Sequence, residues 1–384
     1  VGIFDINGEG SEKAAAEIGE NAFGHACDIT DYAAVETTVD TFEKQAGPAN
    51  ILVNCAGWDQ LYNFLETDPS FWDKVVKINL YGPLNLCHVV MKGMVVAPQP
   101  EAVEAGLEAF ERGGNVMDAA VTAAFVQTVV DPQMCGIAGF GSMQVYIEKL
   151  KKHTSIDFHG RAPRNVKEGM WEKLIEGVCE DGFGYILKGR INEFGYQSLT
   201  TPLTLKALNL AQGMFGKLHF GDTMESAIKY CNDGFMVRPR LHTFWMAPEQ
   251  AGRMARISVI NKLEATKKIY LDKNGRSPKI GDTLKNPDMG KLYKRISNEG
   301  IGIFYEGDIA DTIEKDMKKN GGLLTKEDLR NCSPSVGKPL RGTYRGFEIV
   351  TNQLPGGGLM IIEMLNILEQ FDLKEIGHNS SRYI

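Results

Sequence analysis

Through its first ninety residues this chain alternates short apolar runs with helical segments, and that alternation leaves few folds open. Val1-Gly-Ile-Phe-Asp5 is a strand-like run ending in an acid. Residues 11–18 carry a helical pattern with Ser11 placed to cap it, and residues 22–27 are strand-like again. Asp31 is placed to cap a helix running through Val35, Val39 and Phe42. Residues 49–57, Ala-Asn-Ile-Leu-Val-Asn-Cys-Ala-Gly, read as a buried parallel strand ending in glycine, and a long helix is expected over about 70–94. Strands separated by helices of ten to fifteen residues build βαβ units around a parallel sheet. The expected fold class is α/β.

Beyond residue 95 the pattern changes. Pro100 opens a helix over 101–112 that ends at Gly113-Gly114. Asn115 caps the next helix, with Asp118 three positions on in a box-like arrangement. That helix, over 117–130, is lined with Ala and Val all round, so burial on most sides is expected. The glycine run over 136–141 follows a helix and lies far past Asp5, so it suits close backbone packing rather than a phosphate loop. Further on we expect a β-hairpin over 269–284, a helix ending at Met317 and an N-cap at Thr325. A strand over 344–350 and an amphipathic helix over 359–369 follow. No Gly/Ser/Pro linker separates the two patterns, whose junction falls at Lys92-Gly-Met-Val95. We place one domain at 1–94 and a second at 96–384.

Composition narrows the function classes. The 384 residues suffice for two cores, and 43% hydrophobic with 24% charged residues is ordinary for a soluble globular protein. A net charge of −7, with both signs interspersed, leaves no basic footprint for nucleic acid. Seven scattered cysteines without a C-x-x-C pair point to reduced thiols rather than a disulfide framework or zinc site. His153, Asp157 and His159 fit no metal-ligand spacing, so no metal is expected. Residues 117–130 are too short and too interrupted to span a bilayer. No charged-then-apolar leader opens the chain, which implies a cytoplasmic location, and the start at Val1 without Met is that of an internal fragment.

An acid ending the second strand of a parallel sheet suits a ribose diol and favours NAD over NADP, which gives Asp5 a candidate role. Asp5, Asp28-Ile29-Thr30, Asn54-Cys55-Ala56-Gly57 and Asn79 within Ile-Asn-Leu-Tyr-Gly together resemble the short-chain dehydrogenase/reductase family in order and spacing. The resemblance implies an incomplete Rossmann-like βαβ fragment binding NAD. Asp28 would take the adenine amine and Ile29 the ring face. Asn54, Ala56 and Gly57 would form the turn beside the cofactor, and Asn79 would support a proton relay. Three parts of the family pattern are missing. No glycine-rich turn precedes Asp5 to cradle a pyrophosphate, no tyrosine has a lysine four positions later, and the partner serine has no match. Without the central first strand, a three-stranded remnant with exposed edges is expected.

The longer part resembles the γ-glutamyltransferase family, in its large-subunit portion. The resemblance rests on Glu-Arg-Gly-Gly-Asn-Val-Met-Asp-Ala-Ala-Val over 111–121, Val-Val-Asp-Pro-Gln-Met-Cys-Gly-Ile over 129–137 and Asn-Asp-Gly-Phe-Met-Val-Arg-Pro over 232–239. Phe-Tyr-Glu-Gly-Asp-Ile-Ala over 304–310, Gly-Gly-Leu-Leu-Thr over 321–325 and Pro-Gly-Gly-Gly-Leu-Met from 355 extend it. It implies a helix-rich, partial Ntn-hydrolase sandwich of αββα layers without a cofactor. In that family a threonine freed by self-cleavage attacks a small γ-glutamyl amide such as glutathione, its own amine acting as base. Nothing in the chain matches the Thr-Thr-His-x-Ser cleavage site: Thr200-Thr201 is followed by Pro202, and Thr37-Thr38 lies in the first segment. The expectation is therefore a scaffold that ends before its nucleophile and is inactive as this chain. The family pattern Asp-x-Arg-Glu-x-Ala-Pro clamps the substrate α-carboxylate with its arginine. Here the stretch is Asp157-Phe-His-Gly-Arg-Ala-Pro163, with His159 in register and Arg161 two positions later as the candidate clamp.

Two alternatives accompany this reading: an NAD-dependent reductase or nucleotide-binding module, and a chimeric or misassembled reading frame with no activity. Self-association through an exposed apolar face of the helix over 70–94 is a further expectation.

Overall fold

The computed structural model describes residues 1–47, 49, 52, 54–58, 67–90, 95–180, 182, 184–250 and 252–372. The chain is helix-rich and mixed α/β, and its contacts divide it into two compact units, Val1–Val96 and Ala97–Ile384. Among the described residues no helix is long and apolar enough to cross a membrane.

In the first unit β1 (Gly2–Asp5) pairs in parallel with β2 (Phe23–Ala26), joined by α1 (Gly8–Ile18). The cap of α1 is Asn7, whose side chain accepts from the Gly10 N–H. Ser11, the expected cap, sits inside the helix with its hydroxyl on the Gly8 carbonyl. Asp31 caps α2 (Tyr32–Ala46), accepting from Ala33 and Ala34. The strand expected over 49–57 falls partly outside the described residues, and residues 54–58 have no regular structure. The long helix is interrupted: α3 (Pro69–Val76) runs into a π turn (Lys77–Tyr81) and then α4 (Gly82–Val90), with 91–94, and so the junction, outside the described residues. Pro83 explains the break. It has no N–H for the Asn79 carbonyl, so the ladder widens and the Gly82 N–H reaches back to Lys77. The core joins Cys27, Ile29, Val35 and Val39 to Leu86, Val89 and Val90 of α4.

In the second unit α5 (Pro100–Glu111) and α6 (Val116–Val130) form a helical hairpin. Its turn needs both glycines: Gly113 has φ +81°, and a Cβ on Gly114 would stand 2.6 Å from the Ala109 carbonyl oxygen and 2.9 Å from Asp118 Cβ. Asn115 and Asp118 form a reciprocal capping box at the start of α6. The Asp118 carboxylate then reaches further. It accepts from the Lys217 and Leu218 N–H groups at 3.0 and 2.9 Å and from the Gln212 side chain, while the Asn115 amide donates to the Phe215 carbonyl at 2.7 Å. These bonds fasten the end of α7 (Thr204–Phe215) to the start of α6.

A three-stranded sheet of this unit is antiparallel: β3 (Gly141–Ile147), then β4 (Lys152–Phe158), then the strand Ser335–Gly337. The glycine run before β3 receives α7. The Leu203 and Thr204 N–H groups bond the Gly139 carbonyl, and a Cβ on Gly139 would stand 2.9 Å from the Gly136 oxygen.

Two expected elements differ. Residues 269–284 form no hairpin. They continue from the helix Glu264–Tyr270 into a turn closed by Asp272, and Thr283–Leu284 pairs with the distant strand Phe235–Met236. The strand expected over 344–350 is a hairpin, Leu340–Tyr344 with Phe347–Thr351, turned by Arg345 (φ +48°) and Gly346 (φ +83°). The helix Gly358–Glu369 forms, but Leu359, Met360, Ile361, Met364, Ile367 and Leu368 are exposed and Ile362 is buried.

Burial raises the Asp118 pKa, but N–H donation from Asn115, Gln212, Leu218 and Lys217 outweighs it and holds the carboxyl below its ordinary value. Its stabilisation is thus complete above the unfolded carboxyl range near pH ~4 and is lost as pH falls through the lowered folded value. Asp118→Ala leaves several buried donors unpaired and should cost about 3 kcal/mol. Thermal unfolding followed by circular dichroism between pH 7 and 3 should show the steepest acid loss in wild type and a shallower one in Asp118→Asn.

Candidate functional site

Five of the residues singled out in the first unit gather at one place. Asp5, Asp28, Ile29, Ala56 and Gly57 line a cleft of about 660 Å³, with Phe4, Cys27, Thr30, Trp58 and the helical residues Ser70, Asp73, Lys74, Lys77 and Ile78. Asp5 Oδ1 accepts from the Asn7 N–H at 2.8 Å, and Asp28 Oδ1 accepts from the Thr30 N–H and hydroxyl at 2.9 and 2.8 Å. Each acid keeps its second oxygen free of hydrogen bonds to described residues. Burial pushes the Cys27 thiol up, with Asp28 and Asp31 adding to it against a Thr38 hydrogen bond, so it stays protonated.

Two of the singled-out residues do structural work. Ile29 is buried against α4, where Gly82 leaves room for its side chain and the Asn85 amide donates to its carbonyl. Asn79, in the π turn, clamps the backbone of Trp58: its Oδ1 accepts from the Trp58 N–H at 2.9 Å and its Nδ2 donates to the Trp58 carbonyl at 2.6 Å. Asn54 lies away from the cleft lining, with its amide 3.5 Å from Cys87 Sγ. The acids and apolar walls fit the base and ribose of a nucleotide. Among the described residues the lining contains no glycine-rich turn for a dinucleotide pyrophosphate, and its cations are Lys74 and Lys77.

In the second unit Asp157 lies next to the end of the central strand β4, opposite Ser142 and Ser335. Its Oδ1 lies 2.5 Å from His159 Nδ1, and the imidazole rests beside Phe140 at 5.9 Å. The pairing ties up the ring that stands where the family pattern has arginine. Arg161 is exposed, and its guanidinium has no hydrogen bond or ion pair to a described residue. Its backbone is fixed: the Thr201 N–H bonds the Arg161 carbonyl at 2.9 Å, and the Arg164 N–H bonds Asp328 Oδ1 at 3.0 Å. Asp328 also closes the capping box with Thr325. Lys206, at the start of α7, donates to the carbonyls of Leu329, Arg330 and Cys332. Burial pushes the Cys332 thiol up, against the pull of Arg161 and Lys206.

Comparison with known proteins decides the ancestry. The family model described as gamma-glutamyltranspeptidase matches residues 102–384, and the one described as short chain dehydrogenase matches residues 1–109. The chain belongs to the γ-glutamyltranspeptidase family. The two matches overlap on 102–109, within α5. A glutathione hydrolase proenzyme of Bacillus subtilis is 32% identical over 284 residues, which is 74% of this chain and 45% of that protein. An acylase ACY 1 proenzyme of a Pseudomonas species is also 32% identical, over 76% of this chain and 50% of that protein. The chain thus spans about half the length of the curated relatives it matches. The solved γ-glutamyltranspeptidase of Helicobacter pylori superposes with a TM-score of 0.66 at 29% identity, covering 75% of this chain and 78% of that one.

Sequence reading missed Trp58, Lys74 and Lys77 in the cleft, because their meeting depends on a loop returning to a helix. Gly160 was also missed, although a small residue between His159 and Arg161 was a usable signal. A Cβ there would strike the side chain of Thr200 and stand 3.2 Å from the Thr201 oxygen. Gly160→Ala should therefore lower stability by about 2 kcal/mol, read as a fall in the thermal midpoint. An unchanged midpoint would show that the loop is not packed this way.

Proposed function

We propose that residues 96–384 are the large-subunit portion of a γ-glutamyl amide hydrolase or acyltransferase, part of an αββα Ntn-hydrolase sandwich. The family match over 102–384 carries this reading. Its substrate is a small γ-glutamyl amide of the glutathione kind. Arg161, held by its backbone and without a guanidinium partner among the described residues, takes the α-carboxylate as a two-pronged donor. In this chemistry a freed amino-terminal threonine hydroxyl attacks the amide carbonyl and its amine accepts the proton. No threonine among residues 1–384 stands in the cleavage motif, so this polypeptide alone binds without turning over. Such a chain, with a reductase fragment running into an amidase without a linker, is consistent with a joined reading frame.

The test is direct. The purified 384-residue chain, incubated with γ-glutamyl-p-nitroanilide, should release no p-nitroaniline above buffer and should remain one band on a denaturing gel. Release, or a split into two bands, overturns the claim.

A second reading concerns residues 1–94, and the convergence of Asp5, Asp28, Ile29, Ala56 and Gly57 on one cleft favours it. This fragment is a Rossmann-derived nucleotide-binding module without hydride chemistry, since it has no Tyr-x-x-x-Lys pair. The exposed Trp72, Val76, Leu80 and Leu84 support self-association through the helical stretch from α3 to α4. Seven free cysteines support a reducing, cytoplasmic setting.

A further inference from the structure

The cleft of the first unit carries both signs of charge, and among the described residues its cations have weak partners. Lys74 and Lys77 are three residues apart, at the end of α3 and the start of the π turn, so they project from one side of the helix. Lys74 Nζ sits 3.7 Å from the centre of the Trp58 ring and has no hydrogen bond or ion pair to a described residue, so N–H groups facing away from the ring can meet an anion. Lys77 Nζ is 3.5 Å from Asp73, a pair in which both side chains are largely exposed and which an incoming anion can displace. Trp58 itself is fixed, by the Asn79 clamp on its backbone and by Phe71 at 5.4 Å. The lining therefore holds three carboxylates, of which Asp5 and Asp28 suit hydroxyls and amines and Asp73 pairs with Lys77, with apolar walls from Phe4 and Ile29 and two ammonium groups suited to phosphate.

We propose that this cleft binds a nucleoside phosphate rather than a dinucleotide, with the terminal phosphate held by Lys74 and Lys77. The proposal rests on the nucleotide-binding reading and adds to it the identity of the phosphate ligands. Two ammonium groups from one side of a helix favour a terminal phosphate, which carries more charge than the diester-like pyrophosphate between two sugars of NAD.

Isothermal titration calorimetry of the intact 384-residue chain at low salt, with ADP, adenosine and NAD as probes, tests it. ADP should bind about tenfold tighter than adenosine and tighter than NAD. In Lys74→Met/Lys77→Met the ADP advantage should vanish while adenosine affinity stays unchanged, and Lys74→Arg/Lys77→Arg should keep most of it. Equal affinities for ADP and adenosine, or an advantage that survives the methionine pair, overturn the proposal and leave the nucleotide reading standing. Binding of neither overturns both. If the methionine variant does not fold, 0.5 M NaCl on the wild type gives the same readout: ADP affinity should fall toward that of adenosine, and an unchanged value is a refutation.

Discussion

The architecture of the longer unit hangs on one buried carboxylate. Asp118 is fully buried and is the meeting point of N–H donors from the α6 cap and from the segment that ends α7. An ionised acid without those donors would be intolerable in the interior, and the donors without the acid would be stranded. The two requirements fix α7 against α6. From that anchored end α7 runs back to Thr201–Thr204, where the backbone holds Gly139 on one side and Arg161 on the other. The stretch from Asp157 to Pro163 thus inherits its position from a carboxylate at the opposite end of a helix.

What was legible in the sequence was local. The box of Asn115 and Asp118, the paired glycines before it, the caps at Asp31 and Thr325 and the buried helix over 116–130 all follow from residues a few positions apart. What was not legible depended on distant partners. Turn residues over 272–276 suggested a hairpin, but the strand partner of Thr283–Leu284 lies near residue 235. Arg345 takes a left-handed conformation that its side chain does not announce, so two short strands looked like one. The reach of Asp118 to Lys217 and Leu218 spans about a hundred residues, and no spacing rule reports it.

The shorter unit shows how motifs outlast their setting. Ile29 packs against Gly82 and Asn79 clamps Trp58, so both residues are explained by folding alone. The acids at Asp5 and Asp28 are not so explained, since each satisfies a local turn and still lines the cleft. The candidate site was therefore half legible: the acid wall came from motif order, and the Trp58–Lys74 wall came from tertiary return of the chain. In the longer unit Arg161 was legible as a displaced arginine, while the Asp157–His159 pairing beside it required coordinates.

If the loop after β4 is the recognition element, its guanidinium must be what a glutamyl group meets. Equilibrium binding of L-glutamate to the intact chain measures this without any catalytic step. The structure predicts saturable binding that weakens about tenfold or more in Arg161→Ala and changes little in His159→Ala. Equal affinity in wild type and Arg161→Ala, or the larger loss in His159→Ala, would contradict it.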